Sequence, residues 1–349
     1  MKITICGNYG IENLGDEAIL DGLMKILNTS FPKATLTVMS SFPKQTTKNH
    51  GLNSIYYFPA GFRSFFYSIF SLNFFKTFKN IWNCDLFVLG GGGLFNDEKK
   101  KAVWIWFVQA IWPILLRKKL VMLGQSVGPL DSYFGKKLCK FVFMKAMLVT
   151  VRDQGSKKLL ENLGIKKIYV YGDLALANGY DIEGKPRLEK TIVLSLRDWI
   201  DENPTEKDKI FVELIDFLFE KYKLKTIFVP FQINQHSDLD RAARLNKLLK
   251  YPESMIIISE KIDYRIATEI ISKAKFCIGM RLHSIIFSLI SVKPAIAISY
   301  SEKVRNFAEE AGFTEILDYQ KIEQQRKIIN EDRNEINQRL AILRGVIRE

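Results

Sequence analysis

The sequence predicts an α/β protein of two parallel-sheet domains, and three observations carry that prediction. Short apolar runs alternate with amphipathic helical stretches over nearly the whole chain, as in parallel sheets covered by helices on both faces. Each apolar run ends near glycine, serine or a charged residue, as strands do when they give way to loops. With 349 residues, 47% of them hydrophobic and 26% charged, the chain exceeds the ~250–300 residues at which a single core stops growing.

The candidate strands of the first half are Lys2–Cys6, Thr35–Met39, Leu86–Leu89, Leu120–Gly124, Leu148–Val151 and Lys167–Val170. After the polar stretch Asn178–Lys190 the pattern restarts with Thr191–Leu196, Lys225–Pro230, Met255–Ile258, Phe276–Ile278 and Pro294–Ile298. The expected division is therefore 1–180, 188–318 and a C-terminal helix over 319–349. In that tail Ile322, Ile329, Ile336 and Leu343 recur at heptad spacing and form one apolar stripe, expected to pack across both domains. Arg326 and Arg333 occupy the intervening seam positions and oppose a coiled coil.

The formal charge of +13 and pI near 9.4 point to an anionic partner: nucleic acid, an anionic membrane surface or phosphorylated small molecules. No helix-turn-helix, zinc finger or aromatic RNP-like strand stands out, so no nucleic-acid partner is expected. The opening Met1–Gly7 holds an apolar run too short for a secretory signal, which predicts a cytoplasmic protein. Cys6, Cys84, Cys139 and Cys277 are scattered and histidines are few, so neither disulfides nor a metal site is expected.

The segment Phe58–Trp82 crowds aromatic residues beside Arg63, Lys76 and Lys79 and is too interrupted to span a membrane. It reads equally as a helix lying in the headgroup region of an anionic bilayer and as a buried aromatic helix. The run Val103–Leu116, with Trp104, Trp106 and Trp112, reads as core because Arg117-Lys118-Lys119 leads straight into a strand.

Chemistry concentrates after the strands. Gly7 to Ala18 is a glycine-punctuated turn opening a helix, with Asp16 read as its cap and Asn8, Asn13, Asp16 and Glu17 as a polar cluster costly to bury without a ligand. It lacks the G-x-G-x-x-G spacing, a ribose-binding acid after Ser40-Ser41 and a Walker A lysine, which excludes the common nucleotide motifs. Gly90–Asp97 and Gly124–Pro129 read as two further loops at the same sheet edge, where ligands bind. Together these loops offer Asn8, Tyr9, Asn13, Asp16, Gly91, Gly92, Asn96 and Gln125 to a substrate. Arg152 ends another strand, and Arg281-Leu282-His283 follows Phe276–Ile278 at the start of an apolar helix, with Lys303 beyond the next strand. Arg152, Arg281 and Lys303 suit a small polyanion, and His283 beside Arg281 suits proton exchange near neutral pH. His50 and His236 read as solvated surface residues.

These motifs, in order, resemble the polysaccharide pyruvyl transferase family: Gly-Asn-Tyr-Gly, Asn-Leu-Gly-Asp-Glu-Ala-Ile, Gly-Gly-Gly-Gly-Leu-Phe-Asn-Asp, Gly-Gln-Ser-Val-Gly-Pro, Val-Arg-Asp-Gln-Gly-Ser, Gly-Asp-Leu-Ala and Met-Arg-Leu-His-Ser. The resemblance implies a GT-B-like fold of two Rossmann-type domains facing a cleft. It implies transfer of pyruvate from phosphoenolpyruvate, with no cofactor, to two hydroxyls of a sugar. The implied acceptor is a lipid-diphosphate-linked cell-wall precursor containing N-acetylmannosamine. By the same resemblance Arg152, Arg281, the Leu282 backbone, His283 and Lys303 hold the donor, with the acceptor against the glycine loops. His283 is then the expected acid, and Asp16 or Glu17 the base. A nucleotide-sugar glycosyltransferase is the rival enzyme, and a non-catalytic scaffold at the membrane surface the rival from another class.

Overall fold

Among the described residues, seven parallel strands form the sheet of the first unit of the chain, Met1–Asn178, and six form that of the second, Gly179–Glu349. The computed structural model describes residues 1–97, 101–179, 188, 190–197, 204–233, 237–313 and 316–319. The apolar stripe from Ile322 to Ile347 lies outside the described residues, as do His236 and most of the stretch joining the units.

In the first unit the order is β1 (Lys2–Cys6), α1 (Leu14–Ser30), β2 (Thr35–Ser40), α2 (Pro43–His50), β3 (Asn53–Tyr56), α3 (Phe62–Phe70) and α4 (Asn73–Asn83). There follow β4 (Leu86–Phe95), α5 (Ala102–Leu115), β5 (Lys119–Val127), α6 (Tyr133–Lys145), β6 (Leu148–Val151), α7 (Gln154–Asn162), β7 (Ile168–Val170) and a 3-10 turn, Leu174–Asn178. The strands lie in the order β3-β2-β1-β4-β5-β6-β7. Order reverses between β1 and β4, the place in such sheets where ligands commonly bind beyond the carboxyl edge.

The second unit repeats the plan with β8 (Thr191–Ser195), α8 (Pro204–Tyr222), β9 (Lys225–Phe228), α9 (Asp238–Leu248), β10 (Met255–Ile257) and α10 (Tyr264–Lys273). It continues with β11 (Cys277–Gly279), α11 (Leu282–Ile290), β12 (Ala295–Ser299), α12 (Glu302–Glu310) and β13 (Ile316–Asp318). Its order, β10-β9-β8-β11-β12-β13, puts the reversal between β8 and β11. Central strands such as β1 and β12 are buried almost throughout because helices cover both faces. The four cysteines are among these buried residues, and burial pushes the Cys277 thiol up to about 12.

Two edge strands escape the sequence pattern. β3 is polar Asn-Ser-Ile-Tyr, and β13 is only three residues long. More consequential is the fate of the glycine motifs, expected as loops: Gly90–Gly93 lies inside β4, and Gly124–Val127 inside β5. Gly90 pairs with Leu123 and Gly92 with Gln125, after which Phe95 pairs with Val127, so β4 carries one extra residue. The glycines bring helix and sheet close together. An added β-carbon would stand 2.4 Å from Leu23 Cδ2 at Gly90 and 2.3 Å from Ile19 Cγ2 at Gly91.

Leu174 fills the remaining space. Its side chain sits where a β-carbon of Gly124 would be, 2.5 Å from Cγ, and its carbonyl oxygen would stand 1.9 Å from a β-carbon at Gly22 in α1. Gly124 holds a left-handed φ of +60° within β5, a conformation that suits glycine. Helix propensity alone favours Gly22→Ala by ~1 kcal/mol. The clash with a backbone carbonyl reverses that sign, so Gly22→Ala is expected to destabilise the protein by about 1–3 kcal/mol in urea unfolding.

Candidate functional site

The first cluster lies at the carboxyl edge of the first sheet, beside the β1–β4 reversal. α1 is capped by Asn13, not by Asp16 as the sequence suggested: Asn13 Oδ1 accepts from the amides of Gly15 at 3.0 Å and Asp16 at 3.3 Å. That frees Asp16, in the first turn of α1, to accept from Asn8 Nδ2 at 2.9 Å. A β-carbon at Gly92 would stand 3.5 Å from Asp16 Oδ1. Asp16 is pushed up to about 7, first by burial and then by Glu17 and Asp173, against the opposing Asn8 hydrogen bond and Arg152 charge. A carboxyl poised there exchanges protons at neutral pH.

Arg152, at the end of β6, is almost wholly buried and paired with Asp173 at 3.1 Å, with Asp153 Oδ2 3.5 Å from its Nε. Asp173 also accepts from the Ala175 amide at 2.9 Å, which fixes it at the start of the 3-10 turn. Arg152 Nε, Tyr9 Oη and Gln125 Oε1 are buried and make no hydrogen bond among the described residues. Buried polar atoms of this kind are ones that a polar ligand or ordered water would satisfy.

The structure corrects several expectations here. Tyr9 is 1% exposed, its ring packed where β-carbons at Gly7 and Gly90 would otherwise stand. Gln125 is fully buried and donates to Leu89 O at 2.8 Å, so it braces β4. Gly91 is filled by Ile19 and Leu174 rather than open to a ligand. Asn96 donates to Gly93 O at 2.6 Å beyond the bulge. Asn8, Asp16 and Gly92 are brought together as the sequence suggested.

His50 departs furthest from its expected solvated state. Its side chain is 3% exposed, with Nδ1 2.6 Å from Asp21 and Nε2 2.7 Å from Glu17. Glu17 in turn accepts from the Gly10 amide at 2.9 Å, so the imidazole steadies the loop after β1. Burial opposes its charge, yet the hydrogen bonds to Asp21 and Glu17 and their charges prevail and raise His50 to about 9.

The second cluster lies at the β8–β11 reversal of the second sheet. Arg281 is the N-cap of α11, Leu282 its first residue and His283 its second, half-buried with its ring 6.3 Å from that of Phe287. Asp238, which no motif singles out, is fully buried and accepts from Arg281 Nε at 3.1 Å and Nη2 at 2.5 Å. It also accepts from the amides of Phe231 at 3.0 Å and Gln232 at 3.2 Å, so four donors satisfy one carboxylate. Behind it Arg241, 1% exposed, donates to Asp208 at 2.8 Å, to Tyr319 Oη at 3.0 Å and to Arg197 O at 2.8 Å. That network anchors the loop leaving β8. Lys303 is the second residue of α12, and its side chain lies outside the described residues.

Comparison with known proteins follows the same lines. The family model described as polysaccharide pyruvyl transferase matches residues 13–302. The amylovoran biosynthesis protein AmsJ of Erwinia amylovora is 22% identical over 365 residues, covering 90% of this chain and 87% of its own. Among solved structures, the UDP-GlcNAc 2-epimerase of Methanocaldococcus jannaschii superposes with a TM-score of 0.61 at 16% identity, covering 94% of this chain and 92% of its own. MnaA of S. aureus, solved with UDP, gives 0.59 at 15% identity over 95% of this chain and 88% of its own. Anabaena HepE, solved with UDP and glucose, gives 0.53 at 15% identity over 87% and 82%. These likenesses show the GT-B-like fold class, two parallel α/β domains in one chain.

The His50 bridge sets a pH signature. Its folded value near 9 exceeds the ordinary 6.5, so its stabilisation is complete below about pH 6.5 and is lost as pH rises through 9. The melting temperature should fall more steeply between pH 6.5 and 9.5 in the natural protein than in His50→Gln, measured by thermal unfolding across that range.

Proposed function

The chain belongs to the polysaccharide pyruvyl transferase family, a transferase of polysaccharide biosynthesis, and on that premise we propose that it moves pyruvate from phosphoenolpyruvate onto two hydroxyls of one sugar. The proposed acceptor is an N-acetylmannosamine residue of a lipid-diphosphate-linked cell-wall precursor, modified on the cytoplasmic side where phosphoenolpyruvate is made.

One observation supports this reading above the rest. The Arg281-Leu282-His283 motif stands at the strand-order reversal of the second sheet, its guanidinium aimed by buried Asp238. A fixed guanidinium beside an imidazole and the first amides of a helix suits a ligand carrying carboxylate and phosphate. In this reading Arg281, the Leu282 amide and Lys303 hold the donor, and Arg152 is a further cationic contact for a polyanion.

His283 delivers a proton to the methylene carbon of phosphoenolpyruvate, which makes the neighbouring carbon electrophilic. One sugar hydroxyl adds there and gives its proton to Asp16, whose value near 7 leaves it able to accept one. Phosphate leaves with the electrons of its C–O bond and takes up the proton held by Asp16, while a second hydroxyl of the same sugar attacks the same carbon and returns its proton to His283. Phosphoenolpyruvate and a diol thus give a cyclic ketal and inorganic phosphate, while the arginines offset the charge of the departing group.

The test incubates the protein with phosphoenolpyruvate and lipid-diphosphate-linked saccharides containing N-acetylmannosamine. Expected are phosphate release and an acceptor mass gain of pyruvic acid less water. His283→Ala should lower turnover at least ~100-fold. Turnover of a UDP-sugar with phosphoenolpyruvate inert would overturn the reading in favour of a glycosyltransferase.

A second prediction concerns pH. Turnover should rise as Asp16 ionises through about pH 7, and Asp16→Glu should displace that limb of the profile. An unmoved limb assigns the base elsewhere.

A further inference from the structure

Helix α3 turns most of its aromatic side chains outward, and α4 adds Phe75 and Trp82 to the same surface while its Phe74 and Phe78 pack on the core. On α3, Phe62, Phe66 and Phe70 recur at helical spacing and are 79%, 46% and 83% exposed, with Tyr67 beside them, while small Ser68 is buried. On α4, Phe75 and Trp82 share the exposed side with Lys76 and Lys79, while Thr77 and Ile81 are buried. Leu72, in a left-handed turn between the helices, is exposed as well. On α3 this inverts the usual arrangement, in which the apolar stripe of a helix faces the core.

The surface is one continuous layer. Ring centroids step from Phe62 to Phe66 at 4.8 Å, from Phe66 to Phe65 at 6.0 Å and from Phe65 to Phe74 at 5.7 Å. Phe74 then packs on Trp112 at 5.6 Å, which seats the layer on the core of the first unit. The lead-in is equally fixed. Gln109 clamps Phe58 through both backbone groups at 2.8 and 2.9 Å, which fixes the chain leading into α3.

Charge selects the occupant. Between Asp21 and Asp85 the sequence contains no aspartate or glutamate, whereas Lys25, Lys33, Lys44, Lys48, Arg63, Lys76 and Lys79 fall in that interval. Arg63, Lys76 and Lys79 stand exposed among the rings. Two copies of this face brought together would oppose like charges with no acid in either segment to relieve them. An anionic bilayer meets both demands, taking the rings at the acyl boundary and the cations among its headgroups. Among the described residues no helix is long and apolar enough to cross a membrane, so the contact lies on the surface.

We infer that α3 and α4 form a docking face for the surface of an anionic lipid bilayer. The face lies close to the first cluster within the same unit. Tyr57, just ahead of α3, donates its hydroxyl to Gly7 O and accepts from the Tyr9 amide at 3.0 Å, joining the docking helices to the loop that carries Asn8. A lipid-linked saccharide is thereby met by a protein already resting on its membrane. The docking itself rests on the surface and not on the proposed reaction.

The experiment uses the full chain with vesicles containing no saccharide and no phosphoenolpyruvate, so its result is independent of the transfer reaction. Phosphatidylcholine vesicles with about one-third phosphatidylglycerol should bind at least ~10-fold more protein in co-sedimentation than phosphatidylcholine alone, and salt should weaken the binding. The triple variant Phe62→Ser, Phe66→Ser, Phe70→Ser and the pair Lys76→Glu, Lys79→Glu should each lose at least ~10-fold, with unchanged circular dichroism. Brominated lipid should quench tryptophan emission in the natural protein and less so in Trp82→Phe, a readout that needs no destabilising change. Equal binding to both vesicle types, or equal binding by the triple variant, overturns the proposal. So does self-association that the triple variant abolishes while vesicles bind nothing.

Discussion

The first unit is organised around the insertion of Leu174 into space that glycine leaves open. Gly22 on α1, Gly91 on β4 and Gly124 on β5 each surrender a β-carbon to it, so helix, sheet and 3-10 turn meet at backbone distance. Asp173 is the residue before Leu174, and its carboxylate holds Arg152. The depth to which an apolar side chain enters the sheet therefore sets where a buried guanidinium stands. Close packing transmits that position because interiors have little slack.

Around this plug the acids are more numerous than their neighbourhood can comfortably ionise. Asp16 is raised to about 7 by burial and by adjacent carboxylates, while His50 is raised to about 9 by two of those around it. The same cluster thus keeps one acid partly protonated and one imidazole charged, a division of protons that burial and spacing impose together. The loop after β1 is held from both sides, by Glu17 on the Gly10 amide and by Tyr57 on Gly7.

Much of this was legible in the sequence, for identifiable reasons. Central strands buried on both faces write themselves as apolar runs, and the reversal-point motifs after β1 and β11 carry polar residues where polar residues are costly. The edge strands were not legible because one exposed face needs no apolar run. The glycine motifs misled because glycine serves close approach as well as loops, and only the partner, here Ile19, Leu23, Tyr9 or Leu174, distinguishes the two uses. Asp173, Asp238 and His50 were missed for a common reason. A carboxylate or imidazole that orients another group takes its meaning from a distant residue, and neither its spacing nor its neighbours in sequence announce that partner.

The bond between Asp238 and Arg281 has a further consequence. An arginine side chain normally surrenders rotational freedom when it grips an anion, at ~0.5–1.5 kcal/mol for each immobilised side chain. Here the forked contact to a fully buried carboxylate has already frozen that rotation during folding. In the proposed donor site the entropic penalty would thus move from the binding step into the folding step, since the guanidinium is already ordered before an anion arrives. The strength of the proposed recognition would accordingly be inherited from the rigidity of α9, where Asp238 is the first residue.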